Sequence, residues 1–448
     1  MSMTPVAVIG GGLAGCECAL VLARAGVPVT LFEQKPDARS PAHKSPLLAE
    51  LVCSNSLRSA ELTSGVGLLK QELRDLESPF MAAADACRIP ADKALAVDRE
   101  RFAASLTQAV EQQPGITLVR AQVQGLDDPR LLACGAQHIV IAAGPLLEGG
   151  LADSLFALLG QEQHYFYDAI APIVWTHSLD MDIVFRASRY DCERDDVPAG
   201  SGDYLNCPMT REEYDIFYNA LCSAQTVPTR DFEKARHFEG CMPVEALAAR
   251  GPRTLAFGPL KPVGFVDPRT GRRPWAVLQL RAENSNADTC NLVGCQTRMT
   301  QAEQQRVFRL VPGLAQAEFA RLGSMHRNTY VNAPQVLASD LSLNARRDVF
   351  LAGQITGVEG YVESAACGHW LGRILAARVL RGETPVEPPQ ETALGALLQH
   401  LRTPAKHFQP SNVHFGLMPE LGERCPKKER KARYAQRARD AFAAWVKV

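Results

Sequence analysis

The chain has 448 residues, a formal net charge of −1, and 46% hydrophobic, 22% charged and 7% aromatic residues. That is an ordinary globular composition, and the length predicts two or three domains rather than one core. A net charge this close to zero confines any polyanion-binding surface to a local patch.

The opening Met-Ser-Met-Thr-Pro has no basic n-region, and no apolar run approaches the length of a membrane span. Neither a signal peptide nor a membrane partner is expected. The 13 cysteines are scattered, odd in number and without a Cys-x-x-Cys pair. That pattern predicts free thiols in a reducing cytoplasm rather than a disulfide framework. No metal site is expected. Cys16 and Cys18 read as small buried hydrophobes.

In chain order, Val6 to Ile9 reads as a short buried strand. A glycine loop follows, then apolar residues at helical spacing from Cys16 to Ala25. Gly26 closes that helix, and Val27 to Glu33 reads as a second strand. Residues 36–66 are polar and aperiodic, and a stretch of that length inside a compact domain is usually functional. Helical patterning returns at 67–86 and 98–113, and strands are expected at 116–119 and 138–142. Short strands, aromatic clusters and turn signals mark residues from about 150 to 330 as a different, α+β region. The earlier style returns at 348–354, followed by a helix over about 362–381.

Gly10, Gly11, Gly12, Leu13, Ala14 and Gly15 form a Gly-x-Gly-x-x-Gly loop between strand and helix. Gly10 allows the tight turn, Gly12 lets backbone N–H groups approach a pyrophosphate, and Gly15 lets helix and strand pack. The phosphate is expected at the helix N-terminus, where unpaired N–H groups and the dipole favour an anion. Glu33 ends the second strand, 18 residues after Gly15, placed for ribose hydroxyls. Ala143 and Gly144 resemble a second nucleotide-contacting turn. Gly353, Gln354, Gly357, Gly360 and Tyr361 resemble the late motif that faces a flavin ring, where Tyr361 is a candidate to stack. A plain NAD dehydrogenase would not need that late motif, so FAD is the expected cofactor. No second glycine fingerprint is present for NAD(P)H.

Two cysteines stand out by context. Cys53 lies in Glu50-Leu-Val-Cys-Ser-Asn-Ser-Leu-Arg58, where polar neighbours and Arg58 could keep a thiol exposed and lower its pKa. Cys241 lies in Phe238-Glu-Gly-Cys-Met-Pro243, between a glycine and a proline that imply a fixed turn. Both are candidate catalytic thiols.

These two segments are similar to those of the folate- and FAD-dependent tRNA (uracil-5-)-methyltransferase family, TrmFO. So are Gly67-Leu-Leu-Lys-Gln-Glu72, Gly258-Pro-Leu-Lys-Pro-Val-Gly264, Arg327-Asn-Thr-Tyr-Val-Asn332, Gly353-Gln-Ile-Thr-Gly-Val-Glu-Gly-Tyr361 and Asn412-Val-His-Phe-Gly-Leu417. The resemblance runs nearly end to end. It implies that reduced flavin and 5,10-methylenetetrahydrofolate supply a methyl group to C5 of uridine 54 in the tRNA T-arm, with NAD(P)H as reductant. It implies Cys241 as the thiol that adds to C6, and Cys53 as the flavin-proximal thiol or base. His326 to Asn332 is the segment expected to hold the pterin. The chain departs from the family pattern in Lys44-Ser-Pro-Leu-Leu48, and at Gly11, Cys16 and Cys295.

Between Arg424 and Arg439 there are eight basic residues and one acid, Glu429. Lys427, Lys428, Arg430, Lys431 and Arg433 are the candidate tRNA-phosphate contacts, against the plainer reading of a solvated helix face. Lys261, Arg281 and Lys406 are further candidates. The target base would have to leave its stack to react.

The expected fold is α/β: a Rossmann-type, glutathione-reductase-like FAD domain over 1–155 and 330–448, with an inserted α+β domain over 156–329. Two other readings stay open at this point. One is the same chemistry on a 23S ribosomal RNA uridine. The other is an FAD-dependent oxidoreductase acting on a small molecule.

Overall fold

The computed structural model describes residues 4–160, 164–189, 202–228, 242–422 and 424–447. Strand Val6–Ile9 is apolar and buried along its length, as a central parallel strand must be. It pairs in parallel with Val29–Glu33 on one side and His138–Ile141 on the other. Val349–Leu351 closes one edge of this five-stranded sheet and Ile116–Arg120 the other. The late segment of the chain therefore returns beside the first glycine loop, although more than three hundred residues separate them.

Helix Leu13–Arg24 packs against helix Tyr361–Arg381, and small residues set how closely. A Cβ at Gly368 would fall 2.2 Å from the carbonyl oxygen of Ala14. The contact also buries a polar pair, Glu17 Oε1 and His369 Nδ1, 2.9 Å apart. The other Glu17 oxygen accepts the Phe80 N–H at 2.8 Å. That bond pins the helix Pro79–Ala86 to the same layer.

The helical pattern over 67–86 resolves into two helices, Gly65–Asp75 and Pro79–Ala86. The break has local causes. Glu77 adopts a positive φ, and Ser78 caps the second helix by accepting the Met81 N–H, with Pro79 in its first turn. The polar stretch 36–66 is largely irregular but contains the strand Ser56–Ser59, which pairs antiparallel with Ala94–Val97. This strand was not expected from the sequence.

The middle of the chain forms a six-stranded antiparallel sheet. Its order is Phe185–Ala187, Tyr204–Met209, Ala276–Ala282, Thr289–Leu292, Ile173–Trp175 and Phe319–Arg321. The strands His164–Ala169 and Met325–Tyr330 pair with each other where the chain passes between the two sheets. Buried side chains fall into two large clusters. One runs from Val6 to Phe166 and from Tyr330 to Ala438, the other from Val174 to Ala317. Among the described residues, no helix is long and apolar enough to cross a membrane. Nor does any cluster of three His, Cys, Asp or Glu side chains there suit a metal.

Candidate active site

The glycine loop has the geometry its sequence calls for. Gly10 has φ +107°, and a Cβ there would lie 2.6 Å from the Ala142 carbonyl oxygen. A Cβ at Gly15 would sit 1.9 Å from the Gly10 carbonyl oxygen. Gly12 differs, since its nearest neighbour would be 4.0 Å away. No protein atom demands glycine at Gly12, so what it keeps clear is the space in front of the loop. Gly12 is also the N-cap of helix Leu13–Arg24, with no side-chain cap and no acidic residue in the first turn. The first N–H groups of that helix are left for an anion.

That space is a cavity of about 180 Å³ lined by Gly10, Gly12, Leu13, Ala14, Glu33, Ala143, Gly144, Gly353, Gln354 and Tyr361, among others. Gly11 and Gly15 stand behind the loop and shape it. The Gly11 N–H donates to Glu33 Oε2 at 2.8 Å, and the Lys35 N–H donates to Glu33 Oε1 at 2.9 Å. Glu33 is buried, yet a carboxylate has about four lone-pair sites, so two remain for other donors. Cys16 and Cys18 are fully buried, and burial pushes both thiols up.

A second cavity, of about 220 Å³, shares Val52, Pro145, Leu146, Gln354 and Tyr361 with the first. Cys53, Arg58, Gly360, His326, Asn328, Glu359 and Asn412 also line it. The two cavities adjoin across the residues they share, one reaching the glycine loop and the other the Cys53 thiol. An uncapped helix N-terminus, a side-chain-free wall at Gly12 and a buried carboxylate with spare lone pairs fit a dinucleotide such as FAD in the first of these cavities.

The Cys53 segment is held from three directions. The Tyr361 hydroxyl oxygen accepts the Cys53 N–H at 2.8 Å and the Ser54 N–H at 3.2 Å. Arg281 donates to Ser54 Oγ at 2.8 Å and to Asn55 Oδ1 at 2.9 Å. Asn55 in turn donates to the carbonyls of Val97 and Ala282. Arg58, with φ +63°, pairs with the fully buried carboxylate of Glu363, which also accepts the Val413 N–H at 3.0 Å. Arg58 is thus ion-paired with Glu363 while lining the same cavity as the thiol. The Cys53 sulfur lies 3.8 Å from the Ala169 carbonyl oxygen.

Around this thiol the cavity wall is unusual in charge. Burial holds the Glu359 carboxyl well above the usual carboxylate range, and nearby Asp168 raises it further. The Gln354 amide donates to Glu359 Oε2 at 2.5 Å. Burial, reinforced by Arg321 and His43, brings the His326 imidazole down to about 4. Of the expected pterin segment, His326 and Asn328 line the cavity, whereas Tyr330 is buried beside Phe166 and Phe408.

The family described as Glucose inhibited division protein A matches residues 5–383. The methylenetetrahydrofolate–tRNA-(uracil-5-)-methyltransferase TrmFO of Nitratidesulfovibrio vulgaris strain Hildenborough is 66% identical over 445 residues, covering 99% of this chain and 92% of that one. The protein of the same name from Oleidesulfovibrio alaskensis is 61% identical, with 99% and 97% covered. The Lawsonia intracellularis one is 57% identical, with 100% and 98% covered. This chain belongs to the TrmFO family. The fold is similar to that of GidA from Aquifex aeolicus in its form II crystal, with a TM-score of 0.66 at 17% identity, covering 98% of this chain and 74% of that one. The fold class is the Rossmann-type one read from the glycine loop.

In this TrmFO-family chain the second expected thiol, Cys241, lies outside the described residues. The basic run is distributed over a helix, Arg430–Trp445, and the turn before it. Lys427, Lys428, Arg430, Lys431 and Arg433 are all exposed, and Arg433 pairs with Glu429 at 3.1 Å. Tyr434, Ala435, Ala438 and Phe442 anchor the other face of this helix. Arg281 is a correction to the phosphate-contact list. It is buried and committed to Ser54 and Asn55, so it positions the thiol segment and does not meet solvent. Sequence reading missed Glu359 and Glu363. Their only signal was acidic residues flanking the glycines of the late motif, which looks like an ordinary helix start.

Proposed function

We propose that this protein methylates C5 of a tRNA uracil, at position 54 of the T-loop, using 5,10-methylenetetrahydrofolate with FAD as cofactor and NAD(P)H as reductant. The observation that carries this reading is the identity of 57–66%, over nearly the whole chain, to relatives that share one name. The adjoining cavities at the glycine loop and at Cys53 support it. We also read the two buried clusters as a discontinuous FAD domain (1–155 and 330–448) and an inserted domain (156–329). A tRNA substrate favours the cytoplasm.

When bound, FAD supplies the electrons that convert the folate-derived one-carbon unit into a methyl group. The protein's own groups prepare the base. Uracil C5 is a weak nucleophile. In this reading the Cys241 thiolate adds to C6, and the electron pair displaced from the C5–C6 double bond makes C5 nucleophilic. Once C5 has bonded the one-carbon unit, its proton must leave so that the Cys241–C6 bond can break. Cys53 is the group assigned to that proton or to shielding the one-carbon unit. Glu33 and the first N–H groups of helix Leu13–Arg24 bind the dinucleotide, with Ala143, Gly144, Gly353, Gln354, Gly360 and Tyr361 along its length. Lys427, Lys428, Arg430, Lys431 and Arg433 are assigned to the RNA backbone.

The test uses T-arm RNA carrying 5-fluorouridine, in which fluorine replaces the proton that must leave. The wild-type protein is expected to form a covalent adduct, and Cys241→Ala to keep its flavin but form none. A stable adduct in the variant would remove Cys241 from its role. No adduct in either protein, and no methylation of ordinary tRNA, would remove the function.

A further inference from the structure

Far from the thiol segment along one strand, residues 250–275 build a surface that the catalytic reading does not use. This stretch holds six basic residues (Arg250, Arg253, Lys261, Arg269, Arg272 and Arg273) and a single acid, Asp267. It also concentrates exposed apolar side chains: Phe257 is 76% exposed, Val266 61%, Val263 50% and Trp275 38%. Such grouping on a soluble surface marks a binding face.

The surface is ordered, not a loose loop. Asp267 and Arg272 bridge as a tight hairpin, with the Asp267 N–H donating to the Arg272 carbonyl at 2.9 Å. Asp267 also takes Arg269 in a two-pronged pair at 3.1 and 2.9 Å. The one acid thus neutralises one arginine and leaves Arg272 and Arg273 exposed. The guanidinium of Arg253 lies 5.8 Å from the Phe257 ring centre, and that of Arg211 lies 5.2 Å from the Trp275 ring centre. Between them is an open groove of about 820 Å³ lined by Phe257, Lys261, Arg272, Arg273 and Trp275 among others.

Arg211 is paired with Asp215 and Arg269 with Asp267, whereas Lys261, Arg272 and Arg273 have no ion pair among the described residues. Exposed rings set among such cations match one chemistry closely. Bases stack on the rings and phosphates meet the cations, as on single-stranded nucleic-acid surfaces. The groove is also tied to the active site. Trp275 directly precedes strand Ala276–Ala282, whose Arg281 holds Ser54 and Asn55 beside Cys53. Six residue steps at about 3.3 Å each put the two ends roughly 20 Å apart.

We propose that residues 250–275 form a second RNA-contacting surface, stacking unpaired tRNA bases on Phe257 and Trp275 and pairing phosphates with Lys261, Arg272 and Arg273. The proposal rests on the reading of tRNA as substrate. One RNA would then be gripped at this groove while its target base enters the cavity at Cys53.

The experiment titrates full-length protein with labelled tRNA transcript over a series of salt concentrations. It compares wild type, Arg272→Glu/Arg273→Glu and Phe257→Ser. The changed side chains are exposed, and flavin content and RNA-independent NAD(P)H oxidation are expected at wild-type levels. The double charge reversal is expected to weaken binding at least tenfold at low salt and to lower the salt slope by about 1 to 2. Phe257→Ser is expected to weaken binding roughly fivefold or more with the slope unchanged. Wild-type affinity and slope in both variants would overturn the proposal. Unchanged tRNA affinity with altered self-association by light scattering would overturn it too, giving the surface to a second copy of the chain. If wild type itself neither binds nor methylates tRNA, the functional reading fails, and this surface loses its assigned partner with it.

Discussion

The hydroxyl of Tyr361, first residue of the late helix, accepts the backbone N–H of Cys53 at 2.8 Å. One side chain thus fixes the thiol segment to the helix at the mouth of the dinucleotide cavity. Burial raises this phenol far above its ordinary value, and the Cys53 side chain adds to the rise, so the hydroxyl stays neutral at working pH. Tyr361→Phe removes the acceptor for two N–H groups, a loss worth about 1–3 kcal/mol where such groups stay buried. The variant is expected to keep its flavin absorbance, lose several degrees of melting temperature and methylate more slowly. Full activity with wild-type stability would mean the contact does not position Cys53.

Gly10 and Gly12 are expected to fail in different ways. Gly10→Ala places a Cβ 2.6 Å from the Ala142 carbonyl at a φ of +107°, so the fold itself is strained. Gly12→Val meets no protein atom closer than 4.0 Å at its Cβ, so the fold should survive. Its side chain then stands where the pyrophosphate belongs. Circular dichroism of Gly12→Val is expected to match wild type while bound flavin falls at least tenfold. Wild-type flavin content in Gly12→Val would misplace the phosphate site.

The pair Arg58–Glu363 joins the thiol segment to the late helix a second time. Glu363 has a fully buried side chain, whereas that of Arg58 is 39% exposed and can find water. Glu363→Ala also strands the Val413 N–H. The expected loss is about 1–3 kcal/mol by denaturant titration, less than a wholly buried pair would cost. Faster proteolysis near residues 53–58 should accompany it.

The glycine loop was legible because each requirement is local: a positive φ at Gly10, a close approach at Gly15, a clear wall at Gly12. Strand and helix periods on either side of it were equally local. The clamps on Cys53 were not legible. Arg281 reaches Asn55 across 226 positions, and Arg58 reaches Glu363 across 305. Only the antiparallel middle sheet and the returning late segment bring them together. Tyr361 illustrates the limit. Its place in the late motif marked it as a ring-facing aromatic, but nothing in the sequence said that its hydroxyl would hold two backbone N–H groups of residues 53 and 54.

Acid should cost stability through His326. Its imidazole is lowered from about 6.5 to about 4 by burial, Arg321 and His43. Between those values the unfolded chain binds the proton and the folded chain does not. The His326 contribution is therefore fully present above pH 6.5 and is lost as pH falls through 4. The limit is one proton, or about 1.4 kcal/mol per pH unit. His326→Gln is expected to flatten that part of the stability profile between pH 6.5 and 4. An identical profile in the variant would place the proton elsewhere.

The exposed cations before and within helix Arg430–Trp445 should contribute to tRNA affinity through counterion release. Charge reversal at Lys427, Lys428 and Lys431 is expected to weaken binding and flatten its dependence on salt. Unchanged affinity at low salt would return this run to the role of a solvated helix face.

Purified protein incubated with a tRNA transcript, NAD(P)H and methylenetetrahydrofolate labelled in its one-carbon unit, followed by mapping of the labelled base, bears most directly on the assigned function. The expected result is label in 5-methyluridine at position 54, dependent on both folate and reductant. NAD(P)H consumption that continues unchanged without RNA or folate, with no label in the tRNA, would contradict it and leave a small-molecule flavin oxidoreductase.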